Sequence, residues 1–292
     1  GDTQAWIAGQ ATISGAAVSI TADSDRTVET FAKSTQKGAA DDGTPKNTET
    51  EKKLDEYKAK GTQENATTGE GQSTDLSVAG AVAITDVNGA ATAKITSTGL
   101  ISGATSLDVV ASNRHRNPVT ADRLTTVADG SGTVKDAETG VGIAVAINIA
   151  DAAARAFVLG NVRLQSQAIR IESGMSTGDR WGAQATSGAS GTDTGVAGSL
   201  AVNVSILRSE ATVESGSVVT VLGGGGFTLR AVGSATQIGK SLPHAPASGS
   251  DYGVGAAIVV NILDAITRAE IEDTAAVNGA GAVVVDAQAA TT

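Results

Sequence analysis

Alternation of large and small side chains with a period of two marks the most regular stretches of the chain. In Val141 to Ala150 (VGIAVAINIA), Val141, Ile143, Val145, Ile147 and Ile149 fall on one side and Gly142, Ala144, Ala146, Asn148 and Ala150 on the other. Val196, Gly198, Leu200, Val202 and Val204 repeat the large side, and Ala197, Ser199, Ala201, Asn203 and Ser205 the small one. This is strand geometry, and the β-branched residues favour it over helix despite the alanines. Because large apolar side chains usually fill interiors, the Val, Ile and Leu side is expected to face a buried column. The Ala, Ser and Asn side, Ser205 included, is expected to face outward.

The alternating block is one of four copies: VAGAVAIT at 78 to 85, VGIAVAIN at 141 to 148, VAGSLAVN at 196 to 203 and VGAAIVVN at 254 to 261. Their last residues, Thr85, Asn148, Asn203 and Asn261, are candidate structural anchors that recur at intervals of roughly 55 to 63 residues. Eight residues past each anchor comes an Ala-x-Ile/Val element: Ala93 to Ile95, Ala156 to Val158, Ala211 to Val213 and Ala269 to Ile271. A third piece follows roughly 21 to 24 residues past the anchor: Leu107 to Val109, Ile169 to Ile171, Phe227 to Leu229 and Val283 to Val285. Ala5 to Ile7 and Val18 to Ile20 supply the last two pieces of a fifth copy, so the chain opens mid-repeat and is expected to be cut from a longer protein.

Self-similarity at this period indicates a repeat architecture. The expected fold is all-β: a right-handed parallel β-helix, or β-solenoid, spanning residues 1–292. Each repeat of roughly 55 to 63 residues would divide into about three coils of roughly 18 to 21 residues turned at Gly, Asn, Asp or Ser corners. Successive anchor asparagines would then stand about 14 Å apart, too far for a side-chain ladder. The competing architectures are tandem small β domains and a two-domain α/β protein. One segment departs from the pattern. The polar insertion 36–73 contains Thr48 to Lys60 (TETEKKLDEYKAK), whose helix formers and Leu54/Tyr57 pair predict a short helix near 48–60.

Composition agrees with thin, uniform layers. Aromatic residues are 2% of the chain while apolar types reach 40%, and 36 glycines accompany 4 prolines. The net charge of -10, with no basic run, argues against a nucleic-acid partner. No cysteine is present, which removes disulfides and thiolate metal sites. The longest uncharged apolar run, Val141 to Ala150, is far short of the roughly 20 residues a spanning helix needs, so no membrane insertion is expected.

The search for chemistry returns little. Gly223 to Gly226 lacks the Lys-Ser/Thr and helix of a phosphate loop and reads as a corner. His115 and His244, the only histidines, lie in separate irregular stretches and read as solvated loop residues. Asp151 and Asp264 stand three residues past an anchor, and Arg155 and Arg268 seven past it. Recurrence at equivalent positions points to surface ion pairing or corner capping more than to a unique catalytic site. Asp86, Asp151 and Asp264 are the acids near corners that could hold surface ions, although no calcium-binding repeat or EF-hand spacing occurs. A β-helical polysaccharide lyase or glycoside hydrolase is the enzymatic alternative. It would need convergent acids and an aromatic platform, whereas Trp6, Tyr57, Trp181 and Tyr252 are scattered. No catalytic, metal or cofactor residue is assigned.

The anchor strands ending in Asn148, Asn203 and Asn261, with the Ala-x-Ile/Val elements behind them, resemble the Val/Ala/Gly-rich repeats of very large bacterial exoproteins: filamentous-haemagglutinin-like adhesins and related leukotoxin-type surface proteins. The resemblance implies export across the outer membrane and an extracellular or cell-surface location. It also implies a structural or adhesive role, in cell adhesion or biofilm formation; the expectation of no enzyme activity rests on the recurring charges and the missing aromatic platform. Expected partners are host-cell or matrix glycans or proteins, or further copies of the chain.

Overall fold

The computed structural model describes residues 1–34, 74–116, 125–131, 137–176, 179–189, 191–244 and 251–292. The insertion 36–73 and its helix near 48–60 lie outside the described residues. Elsewhere the regular structure is all strand. In chain order the first rung holds β1 (Thr3–Gly9), β2 (Ile13–Thr27) and β3 (Thr30–Lys33); the second holds β4 (Thr74–Ser97), β5 (Leu100–Arg116) and β6 (Thr126–Gly130). The third holds β7 (Ala137–Val158), β8 (Arg163–Ser166), β9 (Ala168–Met175) and β10 (Arg180–Gly188). The fourth holds β11 (Thr194–Val213), β12 (Val218–Val221) and β13 (Gly226–His244), and the fifth β14 (Tyr252–Ile271), β15 (Ala276–Asn278) and β16 (Ala282–Thr291).

Every pairing among these strands is parallel. One five-stranded sheet runs β1-β4-β7-β11-β14, and the remaining eleven strands form the opposite wall. Thr85 lies opposite Asn148, Asn148 opposite Asn203, and Asn203 opposite Asn261. The register offsets therefore equal the sequence intervals, and each repeat adds one rung. The expectation of about three coils per repeat is corrected to one. Its error was to separate the anchor from the Ala-x-Ile/Val element; both lie on one uninterrupted strand of 20 to 24 residues. No glycine or proline breaks the connecting stretch Ile149 to Arg155.

The two walls converge from a wide end to a narrow one. At the wide end Ile95, Val158 and Val213 pack with Ile101, Leu107, Ile169, Phe227 and Leu229. Burying one such large side chain stabilises by about 1.5–3 kcal/mol, so most hydrophobic stabilisation lies here. At the narrow end the core is alanine: Ala81, Ala83, Ala144, Ala146 and Ala201 against Ala128, Ala183 and Ala185. A Cβ on Gly142 would overlap the Gly188 carbonyl, and one on Gly130 the Ile143 carbonyl. Walls this close leave no room for Val or Ile between them.

That spacing reverses the expected facing. Ala144, Ala146, Asn148 and Ala150 are buried, as are Ala201, Asn203 and Ser205, while Ile143 is 49% and Val82 60% exposed. The alternation was assigned correctly but its sides were exchanged: Val202 points outward and Ser205 inward.

The corner leaving the five-stranded sheet is equally regular. Asn161, Gly216 and Thr274 recur at the same offsets and all adopt positive φ, at 55°, 77° and 63°. Glycine reaches this region without a Cβ clash and asparagine tolerates it, whereas a β-branched threonine is strained there. The Thr274 hydroxyl partly compensates by accepting from the Gly216 N–H at 3.0 Å. Gly223 and Gly224, also at positive φ, make the expected corner before β13.

Candidate functional site

The anchors form a buried polar thread through the alanine layer. Thr85, Asn148 and Asn203 are buried; Asn261, on the outermost strand β14, occupies the same column but is exposed. Asn148 Nδ2 donates to Asn203 Oδ1 at 2.7 Å, and Asn203 Nδ2 donates to the Trp181 carbonyl at 3.0 Å. On the other side the Thr126 hydroxyl reaches Thr85 Oγ1 at 2.6 Å and lies 3.5 Å from Asn148 Oδ1. The asparagines thus make the direct ladder that the three-coil arrangement ruled out. One rung per repeat brings them to a single inter-strand spacing of about 4.8 Å. They also line the interior, where an unpaired amide would be costly, so the ladder specifies which rung stacks on which.

Trp181 joins this thread to a second buried cluster. Its indole stacks on the His115 imidazole, with centroids 4.2 Å apart and planes 16° from parallel. The His115 backbone N–H donates to Asp179 Oδ1 at 3.0 Å, and all three residues are buried. His115 is therefore the end of strand β5 and not the solvated loop residue expected; the His244 side chain lies outside the described residues. Burial, helped by Arg26, pushes the imidazole down to about 4. Burial pushes the Asp179 carboxyl up to about 7 against the opposing pull of two backbone N–H donors, with Asp25 raising it further and Arg114 lowering it. Both groups are consequently uncharged in mildly acidic solution. Among the described residues neither imidazole nitrogen, nor Asp179 Oδ2, nor the indole N–H has a hydrogen-bond partner. Sequence reasoning missed this cluster because His115 and Asp179 stand 64 residues apart. Trp181, one of two tryptophans in a chain poor in aromatics, was the available signal.

The recurring charges pair across rungs. Glu210 lies between Arg155 Nε at 3.3 Å and Arg268 Nη2 at 3.1 Å, and Arg208 meets Asp264 at 3.0 Å. This agrees with surface ion pairing for Arg155, Arg268 and Asp264. Trp6 is exposed with the Lys94 ammonium 5.6 Å above its ring, apart from buried Trp181. Among the described residues no three His, Cys, Asp or Glu side chains converge as a metal site would require, and no helix is long and apolar enough to cross a membrane.

The outer side of the five-stranded sheet is the most distinctive surface. Columns Val78/Val141/Val196/Val254, Val82/Val145/Leu200/Ile258 and Ile84/Ile147/Val202/Val260 run across β4, β7, β11 and β14 and point outward. A contiguous aliphatic surface of this kind ordinarily marks an interaction site.

No family model, no curated protein and no solved structure matches the chain.

Proposed function

We propose that the chain is a segment of a large secreted or surface-displayed bacterial protein, and that its work is to present broad lateral faces for adhesion. The observation that carries this reading is one wide rung per repeat. Roughly 55 to 63 residues advance the solenoid by a single inter-strand step of about 4.8 Å, while each strand of 20 residues or more extends about 65 Å across it. A spacer built for reach uses fewer residues per ångström. Here the chain builds lateral area. The likeness of the anchor strands to exoprotein repeats supports the extracellular setting, and glycans or proteins of a host cell or matrix are the corresponding ligands. We take the coil to be right-handed, since about 98% of parallel strand crossovers are.

The test is retention of the isolated, fluorescently labelled chain on cell monolayers, matrix proteins and displayed glycans. Saturable retention on one of these surfaces, competed by unlabelled chain, supports adhesion. Absence of retention on all of them removes the adhesive role and leaves a scaffold.

A further inference from the structure

We propose that the outer aliphatic face binds a second copy of this chain, in an isologous dimer centred on Ile143 and Gly198. The two residues are register partners on β7 and β11, and both point outward. Ile143 projects from the sheet with 49% of its surface exposed. Beside it Gly198 leaves a hollow: a Cβ built there meets nothing within 4 Å. A two-fold axis lying in the contact plane, parallel to the strands and midway between β7 and β11, seats each Ile143 in the partner's Gly198 hollow. Knob and hollow on one surface are what an isologous contact requires.

The same operation lays β7 over β11 and β4 over β14 of the second copy, with the strands of the two copies running in the same direction. Val145 then meets Leu200 of the second copy, Val141 meets Val196, Val82 meets Ile258 and Val78 meets Val254. Tyr252, 72% exposed, lies at the margin of the contact. No charge falls inside this contact. The nearest on this side, Asp86, lies two residues beyond Ile84 at the rim, and Arg208 and Asp264, farther along, already pair within one copy at 3.0 Å. Four strands about 4.8 Å apart and nine residues of each strand give a footprint of about 500 Å² per copy. About 1,000 Å² over two copies reaches the lower bound for a specific interface, so a reversible dimer is expected. The net charge of -10 on each copy opposes association, so added salt should strengthen it.

The dimer goes beyond the adhesive reading and does not depend on it. The experiment is sedimentation equilibrium of the whole 292-residue chain from about 1 to 100 µM at low and high salt. Twice the chain mass is expected at the upper concentrations. Gly198→Val fills the hollow with a residue suited to a strand and makes the face more apolar, and it should weaken association at least tenfold. Leu200→Lys should do the same, while Thr228→Lys, on the opposite wall, should leave the dimer intact. Circular dichroism checks that each variant is folded. A wild-type chain that remains monomeric throughout overturns the proposal. So does tighter association of Gly198→Val, the signature of unspecific adhesion between apolar surfaces, and so does persistence of the dimer in either face variant.

Discussion

Replacing Asp179 by Asn should make the stability of the protein fall steeply in mild acid, where the wild type is insensitive to this site. His115 sets one of two opposing slopes. Its folded value of about 4 lies below the ordinary 6.5, so below pH 6.5 the unfolded chain takes a proton that the folded chain refuses. Stability from the neutral imidazole is complete above 6.5 and lost as pH falls towards 4, by about 3 kcal/mol. Asp179 has the opposite sign. Its folded value of about 7 exceeds 3.8, so the folded chain keeps a proton that the unfolded chain releases, and stability is lost as pH rises from 3.8 to 7, by about 4 kcal/mol. Between pH 4 and 6.5 the unfolded state carries its proton on the histidine and the folded state on the aspartate. The proton counts match and the two slopes cancel. Asp179→Asn removes one slope and exposes the other, so its stability relative to wild type should drop by about 4 kcal/mol from pH 7 to pH 4. His115→Phe keeps a ring against Trp181 and should show the mirror image, losing about 3 kcal/mol relative to wild type from pH 4 to pH 7. The charged groups facing the cluster, Arg26, Asp25 and Arg114, with Asp2 beside Arg26, are common to all three proteins and drop out of the difference. Urea titrations at half-unit pH intervals supply the curves. A flat difference for Asp179→Asn between pH 4 and 7 would refute the buried, protonated carboxyl, and a flat difference for His115→Phe the buried, neutral imidazole.

Two further substitutions test the interior. Asn203→Ala leaves both the Asn148 amide and the Trp181 carbonyl unpaired in a buried layer and should cost about 2–5 kcal/mol in a denaturant titration, against less than about 1 kcal/mol for outward-facing Val202→Ala. Gly142→Ala places a methyl group on the Gly188 carbonyl and should destabilise by about 1–3 kcal/mol or more in the same assay; a neutral result would mean that the walls are farther apart than described.

What the sequence made legible was periodicity. The alternation, the four anchors, the Ala-x-Ile/Val columns and the fifth partial copy all reappear as register partners, Ala5 with Ala93 and Val18 with Leu107 among them. Two properties were hidden. Facing depends on the distance between walls, and that distance is set by Gly130, Gly142 and Gly188, which lie far apart in sequence and have no side chain to reveal their contact. The habit of placing large residues inside fails where the interior is one alanine thick. Coil number was obscured by strand length. β11, at 20 residues, far exceeds the usual strand of about five or six, so a corner was placed where the chain runs straight. Of the candidate site, the anchor column was visible and its ladder was not, since the ladder exists only when a repeat is a single rung. The His115, Asp179 and Trp181 cluster carries no local motif at all.

The stacking of one repeat directly on the next is most directly tested by a disulfide. The chain has no cysteine, so Ile149→Cys with Val204→Cys introduces the only two thiols, on the same outward side of β7 and β11 and in register. One rung per repeat puts their Cα atoms about 5 Å apart, within the range a disulfide spans, whereas three coils per repeat would separate them by about 14 Å. Mild oxidation should consume both thiols within single molecules, giving faster migration on a non-reducing gel, while Ile149→Cys with Ser205→Cys, one outward and one inward, should remain reduced. Free thiols persisting in the Ile149/Val204 pair of the folded protein, or bridges forming only between molecules, would contradict the account.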